Sequence, residues 1–321
     1  MDKLDVAILR EFMQAGMILP ARLGTGPSYR AIARALQVPF GTVRNRVNAM
    51  YSTGALLGSI VFPNPNLLGF KFGAFNMDVP PELEKEEVVR ELKLADGVVF
   101  LHDFIGRKYS VGFFYETERD LERKLALYGK ISGTEGHFGK IPFPPCHSSV
   151  STNDARLIQR LLKKGVGSYS QLARELRVPV RTLKRRMSLL LANRCILSLP
   201  NVNYRAIEKG IQADLIIFFR NEAVRSTSEP KILEIVKDYL IFAGLFDVVG
   251  VCSLIVPGVG SLTELNRKVR EVDGVKEVWA EIVNQYIDQI HLLGEYVVGR
   301  TYNSSAQGPL RPEIEGKKRR K

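Results

Sequence analysis

The feature that most constrains this 321-residue chain is an internal repeat. SYRAIARALQVPFGTVRNR, beginning at Ser28, aligns without gaps with SYSQLARELRVPVRTLKRR, beginning at Ser168, and nine of nineteen positions are identical. The matches are Ser28/Ser168, Tyr29/Tyr169, Ala33/Ala173, Arg34/Arg174, Leu36/Leu176, Val38/Val178, Pro39/Pro179, Thr42/Thr182 and Arg46/Arg186. Upstream, LDVAILREF resembles NDARLIQRL, with Asp5 matching Asp154, at an offset nine residues larger. The extra residues belong to the Gly/Pro-bearing stretch Met17–Pro27, because loops absorb insertions. A chain built this way folds as one unit made twice, and any function has to be read twice.

Each repeat predicts three helices and a strand. Leu4, Ile8, Leu9 and Phe12 recur at helical spacing. Ser28 is a good N-cap for a second short helix with Ile32, Ala33 and Leu36 inward. Gln37-Val38-Pro39-Phe40 breaks it, since proline disfavours helix at the residue before it. A third helix runs from near Gly41-Thr42 to about Thr53, and Ala55–Phe62 reads as the strand of a wing. Helix, short turn, helix and apolar strand form a winged helix-turn-helix pattern.

Between and after these blocks the texture changes. Strands are expected at 69–79, 98–105, 109–115 and 137–143, with helices at 82–94 and 118–131, in the order β-α-β-β-α-β. Unit two repeats it: strands at 213–219, around Ile241, at 246–256 and at 275–283, with helices at 230–239 and 262–272. That order is the ferredoxin-like split βαβ arrangement, with both helices on one face of an antiparallel sheet. The expected fold class is α+β, with two winged helix-turn-helix domains (1–62 and 146–200) alternating with two ferredoxin-like domains (63–145 and 201–300). A Pro-rich linker follows Ile141, and a basic tail, 301–321, ends the chain.

Charge decides the functional class. The formal net charge is +12, and it is concentrated. Residues 28–54 carry Arg30, Arg34, Arg44 and Arg46 with no acid; residues 168–194 carry seven bases against Glu175 alone; six more lie in 311–321. Such clusters are the footprint of a polyanion binder, the bland alternative being a solvated basic face. The third helix is the expected reading element. Ser28, Tyr29, Arg30, Thr42, Arg44, Asn45, Arg46 and Asn48 in unit one, and Ser168, Tyr169, Arg181, Thr182, Lys184, Arg185 and Arg186 in unit two, are the candidate DNA contacts. Arg suits guanine edges, Asn suits adenine, and Ser and Thr hold phosphates. Arg34 and Arg174 are equally compatible with structural ion pairs.

These residues carry a resemblance. The openings LDVAILREF and NDARLIQRL, the pattern A-R-x-L-x-V-P…T-[VL]-x-x-R and the following β-α-β-β-α-β unit resemble the Lrp/AsnC family of bacterial and archaeal transcription regulators, with the usual protomer fused in tandem over about residues 1–300. The resemblance implies pairing through the ferredoxin-like domains, binding of double-stranded DNA at a pseudo-palindromic operator, and tuning by an amino acid or other small molecule. The fused pair is then an intramolecular pseudo-dimer, open to further homo-oligomerisation. The family's G-x-[FY]-D element is matched by Gly244, Phe246 and Asp247. Unit one departs from it with Gly106-Arg107-Lys108-Tyr109-Ser110, which leaves a ligand site and a structural turn both open at Gly106 and Tyr109.

Other classes have less to stand on. Siroheme decarboxylases resemble the same architecture, and His102 with Asp103, and His137, are the acid-base candidates for such an enzyme, but the His- and Tyr-rich strand context is missing. A low-specificity architectural DNA binder is a third reading. The four histidines do not cluster at ligand spacing, and no phosphate-cradling loop appears, so neither metal nor cofactor is expected. Cys146, Cys195 and Cys252 are scattered, which predicts no disulfide framework and fits a reducing, cytoplasmic setting. No apolar run reaches membrane-spanning length, so no membrane partner is expected.

Overall fold

The computed structural model describes residues 1–18, 28–146, 150–164, 168–245, 247–293 and 296. Most of the 17–27 insertion, His147, Phe246 and the basic tail lie outside these residues. Unit one begins with α1 (Lys3–Ile18), α2 (Tyr29–Ala35) and α3 (Phe40–Ser52), then β1 (Leu56–Pro63). Its second half is β2 (Lys71–Asp78), α4 (Lys85–Leu94), β3 (Val98–Phe104), β4 (Lys108–Tyr115), α5 (Glu118–Ser132) and β5 (His137–Lys140). Unit two follows with α6 (Thr152–Lys164), α7 (Tyr169–Leu176), α8 (Val180–Ala192) and β6 (Ile196–Val202). It ends with β7 (Ile211–Phe219), α9 (Glu222–Val236), β8 (Leu240–Gly244), β9 (Val249–Val256), α10 (Val259–Arg270) and β10 (Val275–Asp288). The fold is α+β, and both halves follow the β-α-β-β-α-β order.

Two features depart from two independent copies. The strands expected as wings pair with each other: β1 and β6 form an antiparallel ribbon from Leu56↔Val202 to Pro63↔Ile196. The two four-stranded sheets, each with the same internal order, join through β3 and β10 into one sheet ordered β5-β2-β4-β3-β10-β7-β9-β8. The join depends on length. β10 pairs with β7 from Val275 to Ile282 and then continues, its residues Val283–Asp288 pairing with Phe104–Phe100 of β3. That continuation lies beyond the expected strand end at residue 283.

Helices α4 and α5 cover the outer face of the first sheet over Phe75, Met77, Val111 and Phe113; α9 and α10 cover the second over Leu215, Ile217, Cys252 and Leu254. The other face curls inward. At its far side β5 returns toward β9, where the Lys140 amide donates to Asp247 Oδ2 at 3.1 Å and the His137 ring meets Phe218 and Trp279 at 4.7 and 5.4 Å. Gly139 permits that approach, since a Cβ there would lie 2.9 Å from the Val249 carbonyl oxygen.

The helical modules are exchanged. Ile8, Leu9, Ile32 and Val47 of unit one share a core with Ile207, Ile241 and Ile255 of unit two, while Leu157, Leu172, Leu183 and Met187 of unit two pack with Phe70, Val99 and Phe114 of unit one. Polar contacts follow the same crossing: Lys3 pairs with Asp238 at 2.5 Å, and Asn64 Nδ2 donates to the Arg194 carbonyl at 2.8 Å.

One helix begins earlier than expected. The expected start of α9 at Pro230 is corrected to Glu222, because the Asn221 side chain accepts from the Val224 amide at 3.0 Å and caps the helix there. Pro230 sits inside it. Proline removes one backbone donor, which hides such a helix from a reading that treats Pro as a start.

Candidate nucleic-acid interface

The two helix-turn-helix modules reproduce each other position by position. Over 28–50 and 168–190 the sequence of buried, half-buried and exposed residues is the same at every position. Val43, Val47 and Met50 of α3 and Leu183, Met187 and Leu190 of α8 are buried. Burial at this spacing fixes which face of each helix is left for a partner.

On α3 the outward polar residues include Arg44, Asn45 and Asn48; on α8 they include Arg181, Lys184 and Arg185. None of these makes an ion pair among the described residues. Thr42 and Thr182 are half-buried at the start of the same helices. Tyr29 and Tyr169 are half-buried beside them, and burial pushes both hydroxyls upward, so they stay protonated donors. Arg30 lies over the Phe40 ring at 5.7 Å and Lys184 over the Tyr169 ring at 5.3 Å, which orients two cations without neutralising them. Glu175, the single acid of the second block, is bound by Arg160 of α6 and accepts from the Gln171 side-chain Nε2 at 3.1 Å. The acid is therefore compensated on its own module.

Arg46 and Arg186 are placed differently. Arg46 Nη1 lies 2.7 Å from Asp2 and 3.3 Å from Asp5, and Arg186 Nη1 lies 2.8 Å from Asp154 and 3.0 Å from Ser151 Oγ. Partial burial pushes the Asp2 carboxyl up, but the Asp5 amide and the Arg46 guanidinium outweigh it and hold the carboxyl below its usual range. Each arginine ties the third helix to the first. Arg34 and Arg174, the residues read as equally compatible with ion pairs, are exposed and make none among the described residues. The signal for this exchange was in the sequence: Asp5 and Asp154 recur at matched positions, as do Arg46 and Arg186. Ser28 and Ser168 also separate, for the Ser168 hydroxyl accepts from the Gln171 amide at 3.1 Å whereas Ser28 makes no side-chain cap.

The candidate effector residues are dispersed. Gly106 forms the β3–β4 turn at φ 97°, and Tyr109 is buried with its hydroxyl donating to the Lys85 carbonyl at 2.9 Å. Asp247 is used by the backbone of β5, Gly244 faces the interior of the curled sheet, and Phe246 lies outside the described residues. The acid-base candidates also part. His102 points inward, its Nδ1 2.7 Å from Asp214 Oδ2, while Asp103 faces the other side of β3 and pairs with Lys85 at 2.5 Å. Neighbours in a strand point to opposite faces, so His102 and Asp103 do not act together, and the partner of His102 comes from 112 residues away. His137 is packed against Phe218 and Trp279.

No family model matches the chain. Among curated proteins it is 34% identical over 107 residues to the HTH-type transcriptional regulator Ptr1 of Methanocaldococcus jannaschii, covering 33% of this chain and 66% of that one. It is 30% identical over 140 residues to the uncharacterized HTH-type transcriptional regulator PH0140 of Pyrococcus horikoshii, covering 42% of this chain and 83% of that protein. The chain belongs to the Lrp/AsnC-type family of transcriptional regulators. Within this family it is a tandem form, since the match to PH0140 is about one repeat long. Among solved structures the siroheme decarboxylase NirDL, in complex with an iron-uroporphyrin III analogue, superposes with a TM-score of 0.50 at 12% identity over 94% of this chain and 99% of that one. This likeness concerns the fold. Among the described residues no helix of this Lrp/AsnC-type chain is long and apolar enough to cross a membrane.

Proposed function

We infer that the protein is a sequence-specific double-stranded-DNA-binding transcription regulator that works as a fused pseudo-dimer. The observation that carries the reading is the pair of third helices, each held by the same buried positions, α3 presenting an uncompensated arginine with two amides and α8 three uncompensated cations. Arg44, Asn45 and Asn48 on one side and Arg181, Lys184 and Arg185 on the other reach base edges and phosphates, with Thr42, Thr182, Tyr29, Tyr169, Ser28, Ser168 and Arg30 on the backbone. Arg46 and Arg186 hold those helices in register with α1 and α6. Segments 1–62, 63–145, 146–200 and 201–300 are our division into modules, with the exchange of cores supporting action as one body.

Because the two faces differ, the operator is asymmetric. A salt titration tests the contacts: Arg44→Ala and Arg185→Ala each weaken duplex binding and lower the slope of log affinity against log salt by about one unit. Unchanged affinity and slope in both variants remove these helices from the interface.

A second reading, catalysis on a tetrapyrrole, is favoured by the fold likeness and by the His102–Asp214 pair. Against it, no Lys or Arg is among the described residues lining the interior beside that pair, and a polycarboxylate substrate needs cations. Mixing the protein with siroheme discriminates: this reading requires a shift of the absorption bands, and the regulator reading requires none.

A further inference from the structure

The curled eight-stranded sheet encloses a cavity of about 320 Å³, lined from both units, and its chemistry is that of a ligand site. Most of the wall is apolar, with Phe72, Phe100, Phe143, Ile216 and Phe242 prominent. A few polar groups converge at one place. His102 Nδ1 meets Asp214 Oδ2 at 2.7 Å, with the Asp214 side chain 1% exposed. Carboxylate oxygens accept, so the ring donates from Nδ1, and in its neutral form Nε2 is left as an acceptor. Tyr204 and Tyr286 line the same space, and burial, with Asp214 near Tyr204 and Asp288 near Tyr286, pushes both hydroxyls upward. Asp214 Oδ1 is buried with no hydrogen-bond partner among the described residues.

This polar corner exists on one side only. Ala74 pairs with Gly112 and Asp214 with Ser253 at equivalent points of the two sheets, so Ala74 stands where Asp214 does. By the same register Gly244, opposite Val251, is the counterpart of His102, opposite Ser110. A symmetric pair of identical chains would repeat the corner twice; fusion lets one copy keep it and the other lose it. A buried acid with an unmade hydrogen bond is costly, and His102 is the side chain that bonds Asp214 among the described residues.

We propose that this interior cavity binds a small primary amine with an apolar or aromatic body, its ammonium received at the His102–Asp214 corner. The volume suits a ligand of modest size. Two carboxylates, Asp214 and Asp288, line the cavity among neutral amides and hydroxyls, and no Lys or Arg lines it among the described residues; Lys108, two residues along β4 from Ser110, is held by Glu281 at 2.8 Å. Phosphates, polycarboxylates and the carboxylate of a free amino acid have no Lys or Arg to meet there among the described residues, so decarboxylated amines are preferred over amino acids. Met13 of α1, Ile60 of β1 and Leu199 of β6 also line the space, so an occupant touches the elements that carry the reading helices. As a route to regulation the proposal rests on the DNA-binding reading; as a binding site it does not.

Calorimetry and thermal denaturation of the full chain with phenethylamine, 3-methylbutylamine and tryptamine, against phenylalanine and phenylacetate, test it without DNA. At least one amine binds about tenfold or more tighter than either carboxylate compound, and Asp214→Asn or His102→Gln removes about tenfold of that affinity. Ala74→Leu, which fills the cavity from the other side and leaves the corner intact, blocks binding and serves as the second variant where a corner substitution fails to fold. The proposal is overturned when no amine binds, when phenylacetate binds as tightly, or when folded Asp214→Asn retains full affinity. Duplex binding measured separately keeps the two readings apart: amine binding without DNA binding sinks only the regulator, and the converse sinks only this site.

Discussion

The helix-turn-helix modules and the sheets diverged to different degrees. Over 28–50 and 168–190 every position has the same burial, although fewer than half of the aligned residues are identical. In the sheets, β5 spans His137–Lys140 and its counterpart β10 spans Val275–Asp288, while Ala74 and Gly244 stand against Asp214 and His102. The difference teaches where duplication stayed constrained. On the proposed reading, two modules that bind one duplex must keep the same shape, whereas two sheets enclosing one cavity are free to specialise.

The largest test of the symmetric half is its core. Ile32→Ala and Leu172→Ala, at matched positions 2% and 0% exposed, should each cost about 2–5 kcal/mol in denaturant unfolding. A loss under about 1 kcal/mol in one unit alone would break the equivalence. The asymmetric half is tested by Asp214→Asn, which removes the charge facing His102 and should cost about 1–3 kcal/mol. The counterpart, Ala74→Ser, should cost less than about 1 kcal/mol, because it faces the open cavity.

Smaller effects sharpen the comparison within the modules. Ser168→Ala should lose about 1 kcal/mol of capping, and Ser28→Ala close to none, since only Ser168 bonds the helix end. Equal losses would restore full symmetry. Arg46→Ala should cost only a few tenths of a kcal/mol, as its ion pairs are partly solvated. Its signature is pH dependence. A carboxyl held below its ordinary 3.8 contributes stability above that value and loses it as pH falls through the depressed one. The deficit of Arg46→Ala against the parent should therefore be present at neutral pH and shrink below about pH 4. A deficit that is unchanged in acid would assign it to packing.

Much of the fold was legible because repeat and periodicity are local. Ile32, Val43 and Val47 announce their inward face by spacing, and the β-α-β-β-α-β order follows from alternating texture. What was illegible depends on distance along the chain. Nothing near Val283 says that β10 continues onto β3, because the partner lies in the other unit. The pairing of β1 with β6, the exchange of helical modules and the meeting of His102 with Asp214 are non-local in the same way. So is the approach of Cys146 to Cys195, whose sulfurs lie 3.3 Å apart although no spacing pairs them. At the interface, residue type named the arginines, but only α1 and α6 decided that Arg46 and Arg186 face acids while Arg34 and Arg174 face outward.

The central claim is that two different faces, α3 and α8, read one duplex together. Selection of bound fragments from random genomic DNA, followed by footprinting at low ionic strength, measures this directly. The account predicts two protected half-sites about 34 Å apart, or a multiple of that, with unlike sequences. A strict palindrome, or failure to retain duplex at all, would contradict it.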